Sequence, residues 1–459
     1  MRVSDDSNRM DKDKGEAVQK QRFEAVDKLS LACGLGLAAV ALAHPVVANR
    51  SYVAIAAGVV LLAAGLWAAI REKSVVTLPA MAGWLSLLWL LALYASATLQ
   101  SSWQWRSLLP PSLSVGLLWL GGRLGRSHNP STLVHCIVAA ALVCACHGLL
   151  QHLGADPLMR LDAFPQRVVG PFLNPNHLGS FLALALPLAM ATFIPRSQAA
   201  SRTLPATLIT GAAIVAIYSG LLLAGSRGAI WAAAAGCIMV VIAFALALRR
   251  QQQRPRWIPY LLLLLSLGAV TRLLQERPIM EGPAGEVSVG QRLQALPNMT
   301  GKAAENDLTV VHRRVLWKAA WEIFLRNPIL GVGPGNYPLV AVKTLETMSE
   351  DRRVVLLASL HRLEVSTYAH NEWLHSLAET GLVGTLPWSV LAIFWLLADL
   401  HRIGRETSET PIGCAGACGA VLVHGLVSYP LYLPATMGSF WMLLGIYIWY
   451  VRNKQCEST

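Results

Sequence analysis

Runs of about twenty apolar residues recur along most of the chain, each closed by a short polar or charged loop. Twenty is the number of residues a helix needs to cross the roughly 30 Å hydrocarbon layer of a bilayer. The runs fall at 29–48, 51–70, 76–98, 108–121, 131–152, 175–194, 204–224, 228–248, 257–274, 371–398, 411–430 and 433–451. They predict an all-α polytopic membrane protein of about 12 transmembrane helices. The fourth run is short and opens with Pro110-Pro111, which suits a re-entrant or tilted helix. A β-barrel would show short segments of alternating polarity, and none occurs. One interval breaks the rhythm: residues 275–370 form a long polar loop whose 308–326 stretch reads as helical.

The chain therefore divides into a tail over 1–28, a membrane region of about nine helices over 29–274, the loop over 275–370, a membrane region of about three helices over 371–451 and a tail over 452–459. With 54% hydrophobic and 14% charged residues, a soluble globular class is excluded. A formal net charge of +12 raises nucleic acid as a partner, but the cations sit in short loops between apolar runs, where they set topology. One side of the membrane, the side of both termini, carries 21 Lys and Arg in its loops, against 5 in the short loops of the other. Long loops do not vote in this count, so the tails are cytoplasmic and the 275–370 loop is exported. Ala41-Leu42-Ala43 resembles a signal-peptidase site, but the long charged lead and the further spans predict a retained first helix. The eight cysteines offer neither a disulfide framework nor a zinc spacing.

Within the spans, His44, His135, His147 and His424 stand out as singly placed ionisable groups. Ion-coupled transporters need buried charge partners at membrane depth, which weighs against that class. The exported side instead carries several polar constellations. The stretch 368–381, Tyr-Ala-His-Asn-Glu-Trp-Leu-His-Ser-Leu-Ala-Glu-Thr-Gly, runs from the polar loop into a span and puts His370 at the water–bilayer boundary, followed by Asn371 as a helix cap. An imidazole there is either an interfacial histidine beside a helix cap, the better reading of the residue alone, or a candidate general base. Upstream, Arg167-Val-Val-Gly-Pro-Phe-Leu-Asn174-Pro175-Asn176-His177 reads either as a capped turn or as a binding loop. Ser226-Arg227 lies in a tight turn on the exported side, where a lone cation runs against the topology rule; it either snorkels or binds an anion.

The helix at 308–326 sets an apolar stripe (Val311, Val315, Trp317, Ala320, Trp321, Phe324) beside His312, Arg313, Arg314 and Lys318, which reads either as a solvated basic face, the better reading of the helix alone, or as a helix lying on the membrane with its cations towards phosphate. Asn327 to Tyr337, with glycines at 331, 333 and 335, reads as a turn and lacks the spacing of a dinucleotide fingerprint. Guanidinium forks with a histidine, and no acidic cluster of metal-ligand character, point to metal-free attack by a hydroxyl on a phosphate-linked, membrane-anchored substrate.

Taken in order, R-x-x-G-P-F-x-N-P-N, S-R-G, R-x-x-W-x-x-A with N-P-I-L-G-V-G-P-G-N-Y, and H-N-E-W-L-x-x-L-A-E-T-G-L-V-G resemble the bacterial O-antigen ligase/polymerase superfamily over roughly residues 165–400. The resemblance implies a metal-independent, inverting glycosyltransferase of the bacterial inner membrane with its active site facing the periplasm and no cofactor. Its donor would be a glycan on undecaprenyl diphosphate, and its acceptor the lipid A-core or a growing glycan. The resemblance implies that His370 deprotonates or orients the acceptor hydroxyl. Arg227 and Arg314, or the adjacent Arg313, would hold the diphosphate together with Arg167, supported by Asn174, Asn176, Ser226 and Asn371. Ligation to lipid A-core comes first, ahead of repeat-unit polymerisation. A protein-glycosylating branch fits less well, because it commonly has Gln-Pro-Asn where this chain has Asn174-Pro175-Asn176. The competing class is a transporter of the same lipid-linked glycan.

Overall fold

The structure, a computed structural model, describes residues 31–33, 35–36, 80–101, 105–125, 130–156, 166–172, 174–193, 203–250, 252, 257–282, 285–294, 308–347, 367–398 and 408–457. The spans expected at 29–48 and 51–70 fall outside the described residues, apart from a few positions within 31–36, as does the tail over 1–28.

The other ten stretches expected as spans are helical: α1 (Ala80–Leu99), α2 (Trp105–Leu124), α3 (Ser131–His152), α4 (Pro175–Phe193), α5 (Leu204–Ala224), α6 (Arg227–Arg250), α7 (Trp257–Leu274), and, beyond the polar segment, α11 (Glu372–Ala398), α12 (Glu409–Gly425) and α13 (Pro434–Glu457). Among the described residues, six are long and apolar enough to cross a membrane: α1, α3, α4, α5, α6 and α11. α7 is apolar but shorter. In lipid every backbone N–H and C=O must be satisfied within the segment, so an apolar run of this length has the helix as its solution.

α4 is buried along nearly its whole length, with α5 and α6 beside it and α12 across it. α2 and α13 lie together so closely that a side chain on Gly121 would strike the Met442 carbonyl and one on Gly445 the Leu118 carbonyl. Small residues at such crossings let helices approach where lipid gives no hydrophobic drive to associate. Large apolar side chains on the outside, such as Trp84 and Leu91 on α1 or Leu264 and Leu265 on α7, mark the outward surface of the bundle.

Between α7 and α11 come a two-stranded hairpin, β1 (Pro278–Gly282) with β2 (Gly285–Ser288), then α8 (Val289–Gln294), α9 (Leu308–Arg326) and α10 (Tyr337–Thr347). The sequence reading did not anticipate the hairpin. α9 and α10 share a core of their own with the start of α11: Val315, Ala319, Ala320 and Ile323 meet Tyr337, Ala341 and Leu345, closed by Ala369 and Ala378. The face that α9 buries is therefore turned to α10 and α11, and it includes Leu316, Ala319 and Ile323, which were not in the expected stripe. Trp321, which was, is 46% exposed.

The joint between this small body and the bundle is a break in α11. Gly381 has φ 60° and ψ −161°, a conformation essentially reserved for glycine. The backbone groups freed there are taken up by the 328–333 turn. Leu382 N donates to Pro328 O (2.8 Å) and Val383 N to Ile329 O (3.1 Å), while Val332 N reaches Ala378 O (2.9 Å) and Gly333 N reaches Glu379 O (2.9 Å). From α1, Ser96 Oγ donates to Leu330 O at 2.6 Å and Gln100 Nε2 to Gly331 O at 3.1 Å. A broken helix at membrane depth is tolerated where protein re-satisfies its backbone in this way.

Candidate active site

His370 is the residue before the cap of α11. Asn371 caps the helix by accepting from Leu374 N (3.0 Å), and its amide donates to Leu426 O (2.9 Å). His370 itself has φ 53°, a left-handed conformation uncommon outside glycine and often found where surroundings enforce it. Two bonds enforce it here: Trp317 Nε1 of α9 donates to His370 O at 3.2 Å, and the preceding Ala369 N donates to His375 Nδ1 at 3.4 Å. The imidazole is half-buried, and burial, followed by the charges of Arg313, His312 and His177, pushes its pKa down to about 3. It is therefore neutral at physiological pH, the form in which it accepts a proton.

The two adjacent arginines of α9 separate cleanly. Arg313 is one helical turn before Trp317 and so shares the face turned to His370; its charge also acts on Arg167 and Tyr429. Arg314, the register first expected from the motif, points from the exposed face. His312 lies 6.4 Å from His370, ring centre to ring centre.

Arg167 is engaged by the protein. Its Nε and Nη2 donate to Ala224 O, the last carbonyl of α5, at 2.8 and 2.6 Å, and Nη2 also reaches Asn176 Oδ1 at 3.1 Å. Burial, then Arg292, then Arg313 lower its pKa to about 9. Arg292 of α8 donates to Gly225 O at 3.2 Å, so a cation that the sequence reading did not single out joins the same turn. Asn174 Oδ1 accepts from Asn176 N at 2.8 Å, starting α4. Ser226 and Arg227 open α6 immediately after this turn, and Arg227 is only 5% exposed. A side chain on the next residue, Gly228, would contact Val427 and His424, so the Arg227 turn abuts the end of α12. Positive groups from four segments thus gather around the 224–228 turn and the approach to His370.

Three further ionisable groups lie inside the span predicted at 371–398: Glu372, His375 and Glu379, with exposures of 5%, 1% and 4%. Their spacing of three and four residues was a legible signal, since ionisable residues in a span are functional candidates by default. Each accepts a backbone N–H from a different segment: Glu372 Oε2 from Leu431 (3.1 Å), His375 Nδ1 from Ala369 (3.4 Å) and Glu379 Oε1 from Tyr337 (3.2 Å). His375 Nε2 and Glu379 Oε2 are 3.5 Å apart. An aromatic group completes the surroundings. Tyr429 meets the His370 ring edge-on at 4.9 Å and stacks on Tyr368 at 4.5 Å.

Residues 211–389, the segment that holds Arg227, Arg313, Arg314 and His370, match the family model described as O-Antigen ligase. The chain is also similar to the exopolysaccharide production protein ExoQ of Rhizobium meliloti (strain 1021), with 24% identity over 372 residues, covering 77% of this chain and 75% of the relative. The two matches support the O-antigen ligase-like superfamily and an O-antigen ligase/polymerase type of function.

Proposed function

We propose that the protein transfers a glycan from undecaprenyl diphosphate to a hydroxyl acceptor on the periplasmic face of the bacterial inner membrane, ligating an O-antigen-type glycan to lipid A-core. One observation carries this reading: a neutral, half-buried imidazole, strained into place, lies under the charge of Arg313, which also reaches Arg167. That juxtaposition suits a reaction in which a hydroxyl loses a proton while a diphosphate departs. His370 takes the proton of the acceptor hydroxyl. The acceptor oxygen forms its bond to the anomeric carbon as the bond from that carbon to the phosphate oxygen breaks, which inverts the centre. Arg313 and Arg227 meet the departing charge with guanidinium donors. Arg167, held by Ala224 and Asn176, adds its charge and fixes the turn that presents Arg227. In this reading the segment over 275–370 is a periplasmic loop and the whole chain has about twelve spans.

The test is transfer from an undecaprenyl-diphosphate-linked glycan to purified lipid A-core by protein in lipid nanodiscs. Wild type transfers and His370→Ala, inserted at equal level, does not; full activity of that variant removes the mechanism. A second reading, repeat-unit polymerisation, draws support from the relative named for exopolysaccharide production. A deletion strain separates the two, since core bearing a single repeat marks a polymerase and bare core with carrier-bound long chains marks a ligase. Movement of the donor across the bilayer without bond formation would mark a transporter.

A further inference from the structure

Tyr429 lies on the connection between α12 and α13, in a segment tied down on both sides. Leu426 O accepts from the Asn371 amide before it, and Leu431 N donates to Glu372 after it. Its ring is fixed between Tyr368 and His370, and its hydroxyl is 3.3 Å from Nε2 of His177, the second residue after Asn-Pro at the start of α4. The charge of Arg313 acts on this hydroxyl as it does on His370. Tyr429, His177, Arg313 and His370 are all half-buried, so each keeps part of its surface open. Packing against Tyr368 and His370 asks only for a ring, which phenylalanine supplies. The hydroxyl instead adds a directional polar group on the His177 imidazole, within reach of the Arg313 charge and beside the candidate base.

We infer that Tyr429, its hydroxyl held by His177, is a further catalytic residue that donates a hydrogen bond to the phosphate oxygen leaving the anomeric carbon. The inference rests on the glycan transfer proposed above. His177 in its Nε2–H form donates to the phenol oxygen and leaves the phenol proton for the substrate. No proton leaves Tyr429: the acceptor proton goes to His370, and the electron pair of the broken carbon–oxygen bond goes to the diphosphate. A neutral donor aimed at the atom where charge develops strengthens its bond as that charge grows, which lowers the barrier more than it tightens the ground state.

The experiment compares wild type, Tyr429→Phe, His177→Gln and His177→Ala in nanodiscs. It follows transfer from an undecaprenyl-diphosphate-linked glycan, direct binding of undecaprenyl diphosphate, and thermal melting. Tyr429→Phe is expected to lose roughly 100-fold in kcat, as loss of one preorganised donor does, with melting and binding of undecaprenyl diphosphate little changed. His177→Gln, which keeps a donor, is expected to retain more activity than His177→Ala. A kcat for Tyr429→Phe equal to wild type overturns the inference while leaving the transfer reading intact. So does a loss of kcat that only parallels a loss of melting temperature, which assigns the hydroxyl to structure. Absence of transfer by wild type itself overturns the transfer reading, and the inference with it.

Discussion

Arg313 and Arg314 are neighbours in sequence, yet their replacement should have very different consequences. Arg313 shares the face of α9 that carries Trp317 to His370, and its charge reaches Arg167 and His370. A guanidinium that hydrogen-bonds a charged oxygen contributes about 1.5–3 kcal/mol. Losing it in Arg313→Ala therefore lowers kcat/KM by roughly 10- to 150-fold. Arg314 is exposed, where charges contribute about 0–1 kcal/mol, so Arg314→Ala should cost less than about fivefold. Arg313→Lys keeps the charge but loses the planar fork and should fall between. A second readout is pH. Burial is the largest cause holding His370 at about 3, and Arg313 is the next. Without Arg313 the imidazole pKa rises towards its ordinary value, more of it is protonated at a given pH, and the acid limb of the kcat/KM profile moves to higher pH. The assay is steady-state transfer in nanodiscs from about pH 2.5 to 8 at constant ionic strength, a range that brackets the wild-type value of about 3. An Arg314→Ala defect as large as that of Arg313→Ala, or an acid limb that stays in place in Arg313→Ala, refutes the assignment.

Two further outcomes follow from the backbone and from linkage. Gly381→Ala forces a Cβ into the Ile329 carbonyl at φ 60°, and should destabilise the protein by at least about 2 kcal/mol; thermal melting checks this against Gly268→Ala, whose added methyl meets nothing and should leave the melting temperature unchanged or raise it. The pKa of His370 is lower in the folded protein than its ordinary 6.5, so protonation favours unfolding. Its contribution to stability is present above pH 6.5 and is lost as pH falls through about 3. Melting of wild type should thus fall more steeply with acid than that of His370→Gln, and parallel curves would contradict the burial of that imidazole.

The helices and the polar interruption are written plainly in hydropathy, because twenty-residue periodicity is a local property that lipid enforces. What joins them is not local. The break at Gly381 is invisible in Thr-Gly-Leu-Val-Gly, which reads as continuous helix; only the carbonyls of Pro328 and Ile329, more than fifty positions earlier, make the break affordable. The same holds for the choice between Arg313 and Arg314. The motif fixes a basic residue near Trp317, but which side chain faces His370 depends on the angle at which α9 docks on α10 and α11. Tyr429 meets His177 across 252 residues, so neither could be assigned to the other from spacing. His370 is legible because it stands at a composition boundary, whereas Glu372, His375 and Glu379 are masked by the apolar average of the span around them.

Those three buried groups bear on whether this architecture serves chemistry or transport. Removing a carboxylate from water costs several kcal/mol unless its oxygens find donors, and here the donors are backbone amides that cannot move without moving the chain. Glu372 fastens the Tyr429 segment, His375 the peptide preceding His370, and Glu379 the start of α10, which carries α9 with it. The recess of about 50 Å³ that Glu372 and Glu379 border, with Ser376 and Thr380, has room for a few waters. Groups that relay ions through a transporter must change partners as access alternates between the two sides of the membrane. Groups that fasten three segments to two turns of a helix do the reverse: they hold His370, Arg313 and Tyr429 in fixed relation. A reaction that depends on positioning gains most from such rigidity, since a displacement of about 1 Å at the reacting centre can cost roughly 100-fold in rate. The buried ionisable groups that would ordinarily favour transport therefore support the enzyme proposed for this chain.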